Sequence, residues 1–436
     1  MVNWFLGKNR HSDNHLQIAW NCAKLGTLIF PLFPALGAVG LVLAVGDTWR
    51  QNYASMISKP LNWGLAILSI WLLITTSLAY NPTEAFLGLG NFLPFLAVFA
   101  AFSSLIQTPA QLRQLAWILV IPSLAVTILG FAQMLLGWTS PKLLSLVFGS
   151  TLVANGNPPG RMDSVFLYAN ILAAYLQIPL ILGIGLWIER FQGRRWISHR
   201  FDYPLLFLSV VVIGNAIALV LTNSRNAWII AVLACLAFAL YLGWYWLVTA
   251  VTAAVGSILW ASFGPMLGRQ WLRSIVPAYF WMRLSDQLYP DRPIATLRTT
   301  QWKFTWSMIQ ERPWFGWGLR NFTPLYQSQM EVWLGHPHNL PLMLTAETGI
   351  PGTLMLSGLV CWIMVEGIEL LRVWSTVATT TTRQDWHQDN LILFSYLVAF
   401  GSCTLFNLLD VTLFDFRVNT LGWLLLSAIR GVACHI

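Results

Sequence analysis

Charge is scarce in this sequence. Asp, Glu, Lys and Arg make up 10% of its 436 residues against 56% hydrophobic ones, and the mean hydropathy is +0.62. So little charge excludes an ordinary soluble domain and fits a protein that crosses a membrane many times. Cysteine is also sparse. Cys22, Cys235, Cys361, Cys403 and Cys434 lie scattered in apolar segments without C-x-x-C spacing, which argues against a disulfide framework and against a thiolate metal site. No short apolar run with a small-residue cleavage site opens the chain, so no removable signal peptide is expected. A full G-x-G-x-x-G is missing too: GWGLRN (316–321) has half of it with no strand before it, and reads as a turn. The formal charge of +8 suits the basic flanks of membrane spans better than a nucleic acid partner.

What the sequence has is apolar runs. At about 1.5 Å per residue, some 20 residues cross the hydrocarbon layer. Runs of this kind fall near 25–46, 61–79, 86–106, 115–136, 165–188, 203–222, 226–243, 244–263, 340–365, 391–413 and 418–434. Leu16–Gly46 contains Pro31 and Pro34, which break helices, so two short spans are expected there. Arg190, Arg194, Arg195 and Arg200 mark a cytoplasmic loop. With that anchor the N-terminus falls outside, against the preference of Lys8, Arg10 and Lys24 for the inside; the two short spans remove the conflict. The expected fold is all-α: a polytopic transmembrane bundle of about 11 or 12 spans with one large periplasmic helical loop. Its parts are N-terminal membrane helices (1–264), the loop (265–339) and C-terminal membrane helices (340–436).

The 265–339 loop is too long for a connector. It holds Arg269, Arg273, Arg283, Arg292, Arg298, Lys303, Arg312 and Arg320 against Asp286, Asp291, Glu311 and Glu331, interleaved with seven tryptophans. One reading is a helical lid lying on the membrane, since Trp favours the interface. The sharper one adds an anionic ligand, because guanidinium pairs bidentately with phosphate and aromatic faces stack on sugars.

HPHNLPLMLTAETGIPG (336–352) puts two histidines and an asparagine before an apolar run. With Asn339 as a helix cap, His338, Leu342, Thr345, Gly349 and Gly352 share one face at about 100° per residue, and Pro351 should kink or end the helix. An imidazole there is either a capping or interface group or a base working near neutral pH. His336 and His338 form H-x-H with no carboxylate or third ligand nearby in the sequence, so no metal is expected. Arg225, in LTNSRNAWII, either snorkels to water or marks a site. Arg161, Arg225, Arg298 and His338 all fall on the outer side of the derived topology.

These residues resemble a family. H-N-x9-G-x-x-G through His338, Asn339, Gly349 and Gly352 is similar to the signature of the bacterial O-antigen ligase and polymerase superfamily. RPWFGWGLRNF (312–322), SRNAW (224–228) and LRTTQWKFTWSMI (297–309) resemble its accompanying motifs, from about residue 86 to the C-terminus in segment order. The resemblance implies a metal-independent, inverting glycosyltransferase of the inner membrane. It would need no cofactor and would move a glycan from an undecaprenyl-pyrophosphate donor to a glycan, lipid or protein hydroxyl. It further implies that Arg225 and Arg298 hold the pyrophosphate, with Arg161 beside them, that His338 is the general base, and that Asn339, Gly349 and Gly352 support it. HNLPLMLTAETGIPG together with LLDVTLFDFRVNTLGWLLL (408–426) also resembles a cyanobacterial branch, some of whose members carry the label of inorganic-carbon or bicarbonate transport proteins. Transport is therefore the alternative, and an inactive membrane scaffold the third reading. Asp410, Asp415 and Arg417 of that stretch would be branch-specific residues or an outer-face ion pair.

Overall fold

The computed structural model of the protein describes residues 11–141, 151–193, 202–285, 293–380 and 384–434. Lys8, Arg10, Arg194, Arg195, Arg200, Asp286, Asp291 and Arg292 fall outside them. The described residues are helical, without strands. The helices are α1 (Gln17–Ile29), α2 (Pro34–Ser58), α3 (Pro60–Ser77), α4 (Pro82–Leu89), α5 (Leu93–Leu105), α6 (Pro109–Leu136), α7 (Ala169–Gln192), α8 (Tyr203–Leu221), α9 (Arg225–Tyr241), α10 (Tyr245–Phe263), α11 (Met266–Ile275), α12 (Ala278–Leu284), α13 (Arg298–Glu311), α14 (Phe322–Met330), α15 (Leu340–Thr380), α16 (Gln384–Asn407) and α17 (Phe416–Cys434). Among the described residues eight stretches are long and apolar enough to cross a membrane, and α9 is a shorter apolar one. The protein is an all-α, polytopic membrane protein.

Local chemistry sets the helix starts. Pro34, Pro60, Pro82 and Pro109 each occupy the first helical position, where a missing N–H costs nothing and φ is already helical. Thr108 and Gln111 form a reciprocal capping box on α6, and Asn81 and Asp202 cap α4 and α8. The N-terminal apolar region divides as its prolines require: α1 ends at Ile29 and α2 starts at Pro34. The two then pack backbone to backbone, since a Cβ on Gly37 would stand 2.5 Å from the Phe30 Cα.

The most enclosed candidate span is α7, which packs against α6, α8, α9 and α16; α10 is the least enclosed. At the C-terminal end of α7, Arg113 on α6 pairs with Glu189 at 2.7 Å and with Asp389 on α16 at 2.6 Å. That ionic clamp leaves the N-terminal end of α7 as the opposite pole of the bundle, where the cleft described below opens. Between α10 and α15 lie the helices α11 to α14; Phe304, Met308 and Ile309 of α13 and Phe322 and Tyr326 of α14 form a small core with Ala346 of α15.

Two expectations about helix limits need correction. The stripe from His338 to Gly352 is not continuous. His338 precedes the helix, and Gly349 has φ +75° and ψ 170°, so α15 breaks two residues before Pro351. The break is a docking point: Ile350 N donates to Pro313 O at 2.8 Å, Trp317 N to Ala346 O at 2.9 Å and Gly318 N to Glu347 O at 2.8 Å. A Cβ on Gly349 would stand 2.0 Å from Trp314 O, so only glycine fits both the φ and the space. The run 391–413 also ends early, at Asn407. Its apolar tail leaves the helix because the Asn407 carboxamide oxygen accepts from Thr412 N at 3.0 Å, closing a loop that presents Asp410.

Candidate functional site

Three helices begin at one cleft. The N-terminal residues of α7 (Tyr168, Asn170), α9 (Ser224, Arg225, Asn226) and α13 (Leu297, Arg298, Thr299) line it together with Arg161, Arg283, Thr296 and His338, around about 400 Å³. None of the three has a side-chain cap bond or an acidic residue in its first turn. First-turn N–H groups and the helix dipole make such ends positive. Here α9 and α13 start on an arginine, which the dipole disfavours. The arrangement is coherent when an anion lies between them, as at other helix N-termini.

The surrounding loops are held from below. Met162 N donates to Leu221 O at 3.0 Å, and Ser164 N to the side chain of Gln133 at 2.8 Å. Asp163 is fully buried; burial, opposed by the hydrogen bond from Gln133, pushes its carboxyl up to about 6. Arg417 stands 3.9 Å over the Phe166 ring and donates to Val165 O at 2.7 Å. Arg283 donates through Nε to the Asn223 side chain at 2.7 Å, and its own carbonyl accepts from Arg225 at 3.4 Å. Asn223 takes φ +54°, turning the chain so that Arg225 opens α9 toward the cleft.

At one edge of the cleft lies a hydrogen-bonded chain of side chains. Arg161 donates through Nε to Thr222 O at 2.8 Å and through Nη2 to Asn170 Oδ1 at 2.5 Å. Asn170 Nδ2 donates to Asp410 Oδ2 at 2.7 Å. Asp410 Oδ1 accepts from Val411 N at 2.9 Å and bonds His338 Nδ1 at 3.0 Å. Burial pushes the Asp410 carboxyl up, but the His338 hydrogen bond and the charges of His338 and His336 outweigh it and hold it at about 2. The carboxylate is therefore ionised at neutral pH and can only accept. Nδ1 of His338 carries the proton, and Nε2 keeps the lone pair. His338 itself has φ +54°, a backbone state that a residue other than glycine holds only when its surroundings impose it. Its N–H donates to His336 Nδ1 at 3.2 Å, and Asn339 caps α15 by accepting from Leu342 N at 2.8 Å.

Arg161, Arg225, Arg298 and His338 thus line one cleft, while Asn339 next to His338 caps α15 and donates to Leu408 O. Gly349 and Gly352 do not reach the cleft and serve the broken helix, where a Cβ on Gly352 would stand 2.6 Å from Thr348 Oγ1. Three residues were missed as site members. In the sequence Arg283 is only one of the loop's cations, and Asn170 carries no signal. Asp410 was grouped with Asp415 and Arg417. The last two pair with each other at 3.7 Å, whereas Asp410 joins the histidines. The reason for excluding a metal also fails, because the fold supplies the carboxylate that the sequence around H-x-H lacks. His336, His338 and Asp410 offer ligand atoms within 4.8 Å of one another and are able to hold a divalent cation.

His336 gives the site a measurable acid response. Burial first, with the positive charges of His338 and Arg298 adding and Asp410 opposing, pushes its ring down to about 4. An unfolded histidine titrates near 6.5. Between about pH 6.5 and 4 the unfolded chain takes up a proton that the folded one refuses, so stability falls on acidification across that window. Asp410 acts in the same direction at lower pH: its carboxyl is also held below its ordinary value, so its contribution is present above that value and is lost as the pH falls further. Thermal unfolding in detergent is expected to show a shallower fall between pH 6.5 and 4 for His336→Gln than for wild type. An equally steep fall would overturn the assignment.

No curated protein matches the chain. A family model described as O-antigen ligase matches residues 208–357, a stretch that contains Arg225, Arg283, Arg298, His338, Asn339 and both glycines but neither Arg161 nor Asp410. The match is narrower than the resemblance read from the motifs, and it falls on two of the three helix starts at the cleft. Over that stretch the chain is similar to the O-antigen ligase family.

Proposed function

We propose that the protein is a metal-independent, inverting glycosyltransferase of the bacterial inner membrane. It takes a glycan from an undecaprenyl-pyrophosphate donor and transfers it to a hydroxyl acceptor at the periplasmic face. The observation that carries this reading is the convergence of helix starts bearing Arg225 and Arg298 on one cleft, next to a histidine bonded to a buried carboxylate. The first group suits a pyrophosphate; the second suits deprotonation of an alcohol.

The acceptor oxygen attacks the anomeric carbon of the donor sugar while its proton passes to His338 Nε2. The bond between that carbon and the pyrophosphate oxygen breaks, and the leaving polyprenyl pyrophosphate keeps the electron pair. Charge grows on the leaving oxygen as the bond opens, and Arg225, Arg298 and the helix N-termini are already oriented toward it. Preorganised charge of this kind lowers the barrier without reorganisation at the moment of reaction. Asp410 fixes the tautomer of His338 and stabilises the imidazolium that forms, and Asn170 and Arg161 hold Asp410 in turn.

A strain lacking the gene tests the reading, with its surface polysaccharide resolved on a gel. Wild type is expected to restore the ladder of glycan lengths. Arg225→Ala with Arg298→Ala, at normal membrane level, is expected to lower transfer about 100-fold or more and leave the ladder short or missing. A full ladder from the double variant would sink the pyrophosphate assignment, and an unchanged ladder in the deletion strain would sink the transferase reading.

A further inference from the structure

The loop after α16 brings a carboxylate to the H-x-H pair, and the grouping has the dimensions of a metal site. His338 Nδ1 stands 3.0 Å and His336 Nε2 3.8 Å from the same oxygen, Asp410 Oδ1, and the ligand atoms of all three lie within 4.8 Å of one another. Two ligands held tetrahedrally by one zinc ion sit roughly 3.3 Å apart, so small shifts close the set. Each side chain is braced from behind. Asn170 Nδ2 donates to Asp410 Oδ2 at 2.7 Å, Phe414 lies nearly parallel to the His336 ring with centroids 6.1 Å apart, and the left-handed turn at His338 sets the two imidazoles edge to face at 4.5 Å. Outer contacts of this kind orient metal ligands. His338 also lines the arginine cleft, which gives an ion a way in.

We infer that His336, His338 and Asp410 form an inhibitory site for a divalent cation of the zinc class, taken up through His336 Nε2, His338 Nδ1 and Asp410 Oδ1. Two imidazoles and one carboxylate suit zinc, whereas magnesium and calcium take oxygen ligands. The inhibition rests on the transferase reading, in which His338 Nε2 must hold a lone pair. The ring proton of His338 is on Nδ1, hydrogen-bonded to Asp410. A cation in that place binds the Nδ1 lone pair, and the displaced proton moves to Nε2. Each imidazole still carries one proton, yet the nitrogen that should receive the acceptor's proton is now occupied. The ion is therefore an off switch and not a cofactor. Its cost is one hydrogen bond: His336 Nδ1, which accepts from His338 N at 3.2 Å, becomes protonated when Nε2 binds the metal.

The test uses full-length protein without an affinity tag, stripped with chelator, placed in lipid nanodiscs and titrated with zinc chloride against a fluorescent zinc indicator. Wild type is expected to compete with the indicator for zinc, and His336→Gln to bind at least about tenfold more weakly, since losing even a supporting partner of a ligand costs that much. Zinc X-ray absorption of the loaded wild type needs no variant and is expected to show two imidazoles at about 2.0–2.1 Å. Single-turnover transfer should fall at least about tenfold at saturating zinc, recover when chelator is added and ignore magnesium. Equal zinc uptake by His336→Gln and wild type, or an absorption spectrum without two imidazoles, would overturn the site. Transfer undiminished by bound zinc, or slowed as much by magnesium, would overturn the switch. The two readings fail separately. A protein that binds zinc through both histidines but never transfers glycan defeats the transferase reading and leaves the site standing, whereas transfer without zinc uptake defeats only the site.

Discussion

Replacing His338 by alanine is expected to slow glycan transfer by about 10²–10⁴-fold, the usual contribution of a positioned general base, with the protein still in the membrane at wild-type level. An acceptor alcohol is a poor nucleophile until its proton has somewhere to go. His338 Nε2 holds the lone pair because Asp410 accepts from Nδ1 at 3.0 Å. His338→Gln separates this role from packing, since a glutamine still offers a donor toward Asp410 but carries no basic nitrogen; it should be as slow as alanine. The arginine cleft would be intact in both, so a small residual rate from leaving-group stabilisation should persist and disappear when Arg225 and Arg298 are also removed. The measurement is a single-turnover rate with lipid-linked donor and protein in nanodiscs. A rate within about threefold of wild type for either variant would mean that the proton leaves by another route.

What the sequence made legible follows from the range of each physical signal. Apolar runs and proline punctuation are local, so the helices, the all-α class and the break at Pro31–Pro34 could be read directly. The arginines that open α9 and α13 were also visible, because a charge at the edge of an apolar run is conspicuous. Counting spans placed them on one side of the membrane, and the structure adds that they line one cleft. The failures are non-local. Asp410 lies 72 residues from His338 and reaches it only because α16 stops at Asn407. That stop depends on an Asn407 side chain bonding Thr412 N, which hydropathy does not register. Asn170 is an amide at a helix start and becomes informative only when both neighbours in its hydrogen-bonded chain are known. The sequence points to Pro351 for a break that lies at Gly349, because proline is the stronger local signal. What decides its position is the 312–318 segment, whose backbone approaches too closely to admit a Cβ at Gly349.

The same chain of hydrogen bonds predicts the second large effect. Asp410→Asn is expected to cut transfer by about 10²–10⁴-fold, in the range found when a histidine's carboxylate partner becomes an amide. Asp410 accepts from His338 and Val411 at Oδ1 and from Asn170 at Oδ2. An asparagine has one acceptor oxygen and cannot serve both sides. If the oxygen stays with His338, its NH₂ faces the NH₂ of Asn170. Turning Asn170 to relieve that contact points a donor at Arg161, whose Nη2 now donates to Asn170 Oδ1 at 2.5 Å. The damage therefore runs from the base to the arginine cleft. Asn170→Asp added to Asp410→Asn restores complementarity throughout, with the new carboxylate accepting from both sides, but it moves the negative charge one residue away from the imidazole. If orientation were all that Asp410 supplies, the swapped pair would transfer at the wild-type rate. Because a charge beside the forming imidazolium is also needed, the swap should recover the unfolding midpoint and leave transfer at least tenfold slow. A wild-type rate in the swapped pair would reduce Asp410 to an orienting group, and a wild-type rate in Asp410→Asn alone would remove it from the reaction.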